Sequence, residues 1–262
     1  MSGFARRQWS PSSHASGRAA LRPQTYAAIR HPDPRLAEPI WRALGEARTV
    51  VNVGAGTGSY EPPDRRVTAV EPSAVMIAQR APDAAPTVQA SAETLPFEDG
   101  AFDATMAILT LHHWDDVDAG LAEMVRVARR RVVVVTFDPA TWGDQWIVRD
   151  YLPEILDDAS DWKPSLAQLL DALPGATVEV LPTPCDCTDR MFATLWARPE
   201  EYLDPRVRAA TSVWHQLPPE VSARALDQLA RGLASGAWDE RYGHLRTTPE
   251  WDVGLRLIRA EL

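Results

Sequence analysis

One junction constrains this chain more than any other feature. The compact apolar run Thr49-Val-Val-Asn-Val53 passes without a break into Gly54-Ala-Gly-Thr-Gly58. A short apolar run bounded by glycine reads as a buried strand. Glycines at alternate positions let the backbone turn sharply and let a ligand approach the main chain where a Cβ would otherwise stand. Amides exposed in such a turn can meet a charged group. The junction therefore predicts a nucleotide-like ligand held at the end of a buried strand.

The downstream pattern repeats the same logic. Val67 to Val70 forms a second apolar run, followed by Glu71 and a helical stretch over 73–79; further runs cover 102–109 and 131–137. Strands this continuously apolar are covered on both faces, as in parallel sheets. Between the last two, residues 115–128 place Val117, Leu121, Met124, Val125 and Ala128 on one helical face. Strand, helix and strand in succession make a right-handed crossover. Upstream, 26–44 reads as a short helix, a break at Pro32 and Pro34, and a second helix ending near Gly45. Downstream, 139–173 reads as helical and rich in tryptophan, 177–181 and 191–196 as two closing strands, and 199–262 as a helical tail. The expected architecture is α/β and Rossmann-like, a mainly parallel sheet between helices with a helical C-terminal extension.

With 262 residues, 45% of them hydrophobic, the chain can bury one substantial core. Its net charge of −9 argues against nucleic acid or an anionic membrane as a partner, since both need a basic surface. The exception is local. Before Asp33 the chain carries Arg6, Arg7, Arg18, Arg22 and Arg30 and no acid, which reads as a solvated tail over 1–24 rather than an anion-seeking arm. No apolar run is long enough to span a bilayer, and the first residues lack the apolar segment of a secretory signal, so a cytoplasmic address is expected. Cys185 and Cys187 are too close for a useful disulfide and lack further metal ligands at a recognisable spacing; no metal is expected.

Glu71 ends the second strand, where a parallel sheet places its carboxylate beside the glycine loop to accept hydrogen bonds from ribose hydroxyls. Met76 is spaced to pack on an adenine face or to fill the core. A dinucleotide-dependent dehydrogenase also combines a glycine loop with such an acid, but it spaces its glycines G-x-G-x-x-G before a full helix. Here the spacing is G-x-G-x-G, with Pro62-Pro63 close behind.

Taken with Ala90-Ser-Ala-Glu-Thr-Leu-Pro-Phe97, Gly100-Ala-Phe-Asp103 and Leu111-His-His-Trp114, in that order and spacing, the chain resembles the class I S-adenosylmethionine-dependent methyltransferases. The likeness covers about 49–138 and is strongest to the small-molecule branch that includes quinone-biosynthesis methyltransferases. It implies S-adenosylmethionine as cofactor, S-adenosylhomocysteine as product and a small molecule as methyl acceptor. It further implies that Asn52, Gly54, Ala55, Gly56 and Gly58 take the methionine end and that Glu71, with Pro72, takes the ribose. Met76, Ser91, Ala92 and Glu93 would frame the adenine, and Ile108, Leu109 and Thr110 would underlie the sulfonium. Tyr26 and Arg30, in a capping N-terminal helix, would meet the cofactor carboxylate, with Arg30 as an ordinary surface charge the equal alternative. On this resemblance 25–198 forms the cofactor-binding domain, cap helices and lid included, and 199–262 the extension.

Three departures stand out. Asn52 and Ser91 replace residues that are often acidic, which weakens charge-assisted contacts to the cofactor. The third is larger. Only 59–66 separates the glycine loop from the second strand, too short and too proline-rich for a crossover helix, so that helix is shortened or missing. These departures leave room for a second reading, in which the fold performs non-methylating chemistry such as a cyclisation, or binds the cofactor without catalysis.

Methyl transfer from a sulfonium needs alignment, exclusion of water and, for a hydroxyl or amine acceptor, removal of a proton. His112 and His113 are the best placed bases by sequence and Asp138 the next. Trp142, Trp146 and Trp162 fall where a substrate lid is expected and would enclose a flat or hydrophobic acceptor.

Overall fold

The computed structural model describes residues 26–157 and 164–262. The arginines of the N-terminal tail before residue 26, and Trp162, lie outside the described residues.

The valines of β1 (Thr49–Val53) are inaccessible to solvent because this strand lies inside a seven-stranded sheet. The other strands are β2 (Arg66–Val70), β3 (Thr87–Val88), β4 (Phe102–Ile108), β5 (Ala128–Phe137), β6 (Thr177–Val180) and β9 (Leu255–Glu261). A separate ribbon pairs β7 (Thr183–Pro184) with β8 (Glu250–Trp251). The sheet order is β3-β2-β1-β4-β5-β9-β6. From β3 to β5 every pairing is parallel, whereas β9 runs antiparallel to both its neighbours.

Side chains of the central strands alternate between two cores, which is why each strand reads as unbroken apolar sequence. Val50, Met106, Val133 and Val135 face one side, under α1 (Tyr26–Ile29) and α2 (Pro34–Ala43). Val51, Val53, Ala107, Val132 and Val134 face the other, under α4 (Val117–Val127) and a helix over Leu166–Ala172. The short α3 (Ala74–Ile77) follows β2. Acidic caps start α2 and α4. The Asp33 carboxylate accepts from the Arg35 amide with Pro34 at the first helical position, and the Asp116 carboxylate accepts from the Ala119 amide. The prolines that break 26–44 thus mark the start of α2.

No helix joins β1 to β2; the connection is a series of turns. Tyr60 fills part of the space, buried in the first core with a left-handed backbone (φ 64°). Trp41 of α2 donates from Nε1 to its carbonyl at 2.8 Å. The N-terminal helix and an aromatic side chain therefore cover the face that a crossover helix would have covered.

Two expectations fail in the C-terminal half. Residues 191–196 form no strand; Ala193–Leu195 is a 3-10 turn, and all six side chains are buried. The place in the sheet belongs to β9, so 199–262 is helical through the long helix Pro219–Ser235 and its neighbours but ends as a strand inserted between β5 and β6. An apolar run of this length fits a strand or a buried turn equally, and only a pairing partner decides. Among the described residues no helix is long and apolar enough to cross a membrane.

Candidate cofactor and acceptor site

A cavity of about 510 Å³ opens at the C-terminal ends of the parallel strands, around the point between β1 and β4 where strand order reverses. Open α/β sheets bind ligands at this point because the loops leaving the strands diverge there. Gly54, Ala55 and Gly56 form one wall. Gly54 (φ 71°) has no room for a side chain, since a Cβ would lie 2.1 Å from Thr110 Oγ1. Gly56 (φ 54°) differs. A Cβ there would meet only Met76 Cε, at 3.5 Å among the described residues, so the space above it is open to the cavity.

The Glu71 carboxylate sits at the end of β2, largely buried, accepting from the Gly56 amide at 2.8 Å and the Ser73 amide at 2.9 Å. Those two bonds offset its desolvation. A carboxylate offers roughly four lone-pair positions, so about two remain for vicinal hydroxyls. Pro72, Met76, Ser91, Ala92 and Glu93 continue this wall. Glu93 is tied back to the start of α4, its Oε1 accepting from the amides of Asp115 (3.0 Å) and Asp116 (3.3 Å).

Ile108, Leu109 and Thr110 form the floor. Leu109 holds a left-handed backbone (φ 56°), a costly conformation for a branched residue, fixed by its amide donating to the Val135 carbonyl at 2.8 Å. The turn Leu111–His113 then brings both imidazoles to the cavity, with ring centroids 4.0 Å apart and planes at 49°. Trp114 lies beside them over Gly120 of α4, where a Cβ would come within 2.4 Å of the indole.

Tyr26 and Arg30 also reach the wall, but Arg30 is already engaged. Its Nε and Nη2 both bind the Asp189 carboxylate, and Nη1 donates to the Tyr26 hydroxyl at 3.0 Å. Tyr60 donates its hydroxyl to the same carboxylate at 2.8 Å. Burial works against the charge of Arg30, but Asp189 more than offsets it and raises the guanidinium pKa. Burial, reinforced by Asp189, pushes the Tyr60 phenol up as well.

Three expected site residues do not line the cavity. Asn52 shares a face with Val50 and donates from Nδ2 to Glu61 Oε1 at 3.1 Å. At Gly58 (φ 97°) a Cβ would meet Arg80 and Glu61 rather than open space, so this glycine serves the turn. Asp138 caps the turn Pro139–Asp144 by accepting from the Ala140 amide at 3.1 Å and faces Arg256 of β9 at 3.7 Å, outside the cavity lining. Of the tryptophans, Trp142 lines the cavity beside Phe137. Trp146 is core, packed among Tyr151, Tyr202, Trp238 and Tyr242 and donating to the Trp196 carbonyl at 2.8 Å.

The far arm of the cavity, not legible in the sequence, comes from Thr136, Met191 and Phe192, and from Thr211 and Val213 at the start of a short helix (Ser212–Gln216). The sequence predicts strand over 191–196, and the helix start near 211 falls within the expected extension.

Comparison with known proteins agrees with the fold. Residues 51–136 match the family model described as a methyltransferase domain. A demethylmenaquinone methyltransferase of Mycolicibacterium gilvum is 33% identical over 139 residues, covering 52% of this chain and 55% of that protein. Its counterpart in Mycolicibacterium vanbaalenii is 30% identical, covering 59% and 66%. The chain thus spans roughly half to two thirds of these curated relatives. A solved structure from Anabaena variabilis, described as a methyltransferase of an antibiotic biosynthesis pathway, is 30% identical and superposes with a TM-score of 0.82, covering 89% of this chain and 99% of that one.

Proposed function

The chain belongs to the class I S-adenosylmethionine-dependent methyltransferases, and on that premise we propose that it methylates a small-molecule acceptor in a biosynthetic reaction. The observation that carries this reading is the position of Glu71. Its carboxylate is fixed by the loop amides of Gly56 and Ser73 with acceptor capacity to spare, in the same cavity as the His112–His113 pair. A buried acid beside an open glycine cradle fits a ribose joined to a methionine moiety.

In this reading Glu71 takes the ribose hydroxyls, and the amides of Gly54 to Gly56 face the methionine end. Met76 and the segment from Ser91 to Glu93 enclose the adenine. The cofactor supplies an activated methyl group on a sulfonium. Leu109 and Thr110 underlie that end, and Phe137, Trp142 and Phe192 hold a flat or apolar acceptor while keeping water out. His112 or His113 accepts the proton of a hydroxyl or amine acceptor.

The test is calorimetric titration with S-adenosylhomocysteine, followed by label transfer from methyl-labelled S-adenosylmethionine to candidate acceptors. Binding with label recovered in the acceptor is the expected result. No binding at millimolar cofactor sinks the reading.

A further inference from the structure

Among the described residues, the cavity wall contains one arginine and no lysine. That arginine, Arg30, donates from Nε and Nη2 to Asp189, whose side chain is 1% exposed. The pair is fixed from several directions. Arg30 and Asp189 also meet as an isolated antiparallel bridge of main chain. Tyr60 binds the second carboxylate oxygen, and the Asp189 carbonyl accepts from Thr194 Oγ1 at 2.6 Å. Next to it, the Thr188 amide donates to the buried Asp33 carboxylate at 2.9 Å. The acids on the wall are Glu71, Glu93 and Asp115; Arg30, bridged to Asp189, sits beside Met191, whose amide donates to the Asp189 carbonyl at 2.8 Å and which lines the far arm with Phe137, Trp142, Phe192 and Val213.

We propose that Asp189 sets acceptor specificity through Arg30: by neutralising the one arginine of the wall it makes the acceptor arm electrically neutral, so the arm takes uncharged, flat acceptors and rejects carboxylates and phosphates. The proposal rests on the reading of the cavity as a methyl-transfer site. An anionic acceptor leaving water must find a cation or lose its hydration uncompensated. Drawing Arg30 away would strand a buried Asp189 carboxylate, which is at least as costly. Asp189 acts here as a positioning residue, since it does not itself line the cavity.

The experiment first titrates the protein with S-adenosylhomocysteine, which tests the site. It then titrates the saturated complex with two probes of one shape, 2-naphthol and 2-naphthoate, at neutral pH. Wild type is expected to bind the naphthol at least about ten-fold more tightly. Asp189→Asn should narrow or invert that ratio by about ten-fold or more, the worth of one hydrogen bond to a charged group, because Arg30 is released to the anion. The double variant Arg30→Gln with Asp189→Asn, neutral again, should restore the wild-type preference. A merely structural Asp189 would weaken both probes alike and leave the ratio unmoved. Equal binding of both probes to wild type, an unmoved ratio in Asp189→Asn, failure of the double variant to restore it, or binding of neither probe would each overturn the proposal. If the single variant does not fold, the wild-type ratio and the double variant decide. Failure to bind S-adenosylhomocysteine sinks the methyltransferase reading instead.

Discussion

Arg80 and Glu61 close an ion pair beneath the glycine loop, with both carboxylate oxygens of Glu61 2.9 Å from Arg80 Nη2. Arg80 also donates to the Gly56 carbonyl at 3.2 Å and the Ala85 carbonyl at 3.3 Å, and Glu61 accepts from Asn52. Both side chains are largely buried, at 4% and 12% exposure. The cluster explains two departures together. It fastens a loop that no crossover helix follows, and it accounts for Asn52, since an acid there would set a second carboxylate against Glu61. Arg80→Met should lower affinity for S-adenosylhomocysteine by roughly ten-fold, about 1.4 kcal/mol, and speed hydrogen exchange across 54–61 while circular dichroism stays native-like. Unchanged affinity would mean that the loop is held by other contacts.

Glu71→Ala removes the carboxylate assigned to the ribose. Loss of hydrogen bonds to a charged acceptor costs about 1.5–3 kcal/mol, so affinity for S-adenosylhomocysteine should fall roughly ten- to a hundred-fold by calorimetry. Binding as tight as wild type would place the ribose elsewhere.

The two glycines of the loop should behave differently under the same kind of substitution. Gly54→Ala drives a Cβ into Thr110 Oγ1 at 2.1 Å and should destabilise the fold itself, seen as a lowered Tm. Gly56→Ala carries the same left-handed strain (φ 54°) but meets only Met76 Cε at 3.5 Å, so its Tm should fall less, while the added Cβ enters the cradle and weakens cofactor binding. Equal loss of stability in both variants would count against the distinction.

The parts legible in the sequence are those whose cause is local. Val50, Val51 and Val133 to Val135 alternate between two buried faces, so β1 and β5 leave unbroken apolar runs, and the 3.6-residue period of α4 survives in Leu121, Met124 and Val125. Glu71 and Gly56 are likewise readable, because an acid and a glycine after adjacent strands meet by topology alone. Strand β9 is hidden by Arg256, a largely buried charge inside a strand paired on both sides, which is tolerable because it binds Asp252 at 2.7 Å and faces Asp138 at 3.7 Å. The same arginine decides the fate of Asp138. Asp189 carries no motif; its importance arises from Arg30, brought to it by the fold. Residues whose role depends on a distant partner leave no local pattern to read.

Asp33 couples the N-terminal helices to the loop that carries Asp189. Burial alone would raise its pKa, but bonds from Arg35 and the amides of Thr188 and Arg35 hold the carboxyl well below its ordinary 3.8. A depressed folded-state pKa contributes stability that is complete above the ordinary value and is lost as pH falls through the folded one. Asp33→Asn should therefore cost about 1–3 kcal/mol at neutral pH, measured by urea unfolding, through the lost charge-assisted bonds from Arg35 and Thr188, since Asn caps a helix as well as Asp does. The gap between variant and wild type should close as pH drops below about 4, where protonation removes the same contribution from wild type. A gap that stays constant down to strongly acidic pH would show that the charge of Asp33 is not the source.

The paired imidazoles bear on the chemical step. With Asp138 committed to a helical turn and to Arg256, His112 and His113 are the basic groups left at the floor of the cavity among the expected bases. If the acceptor loses a proton, replacing the responsible histidine by Ala should lower kcat by roughly 10²- to 10⁴-fold, the range of general-base assistance. Affinity for S-adenosylhomocysteine should hardly change, because the ribose and methionine ends are assigned to Glu71 and the glycine loop. A base must be neutral to act, so the wild-type rate should rise with pH through one ionisation, and that ionisation should vanish in the variant. The rings are 4.0 Å apart, close enough for one to stand in for the other, so each single variant must be compared with the double. Losses below about five-fold in all three, far under the general-base range, would leave alignment of donor and acceptor as the whole source of rate.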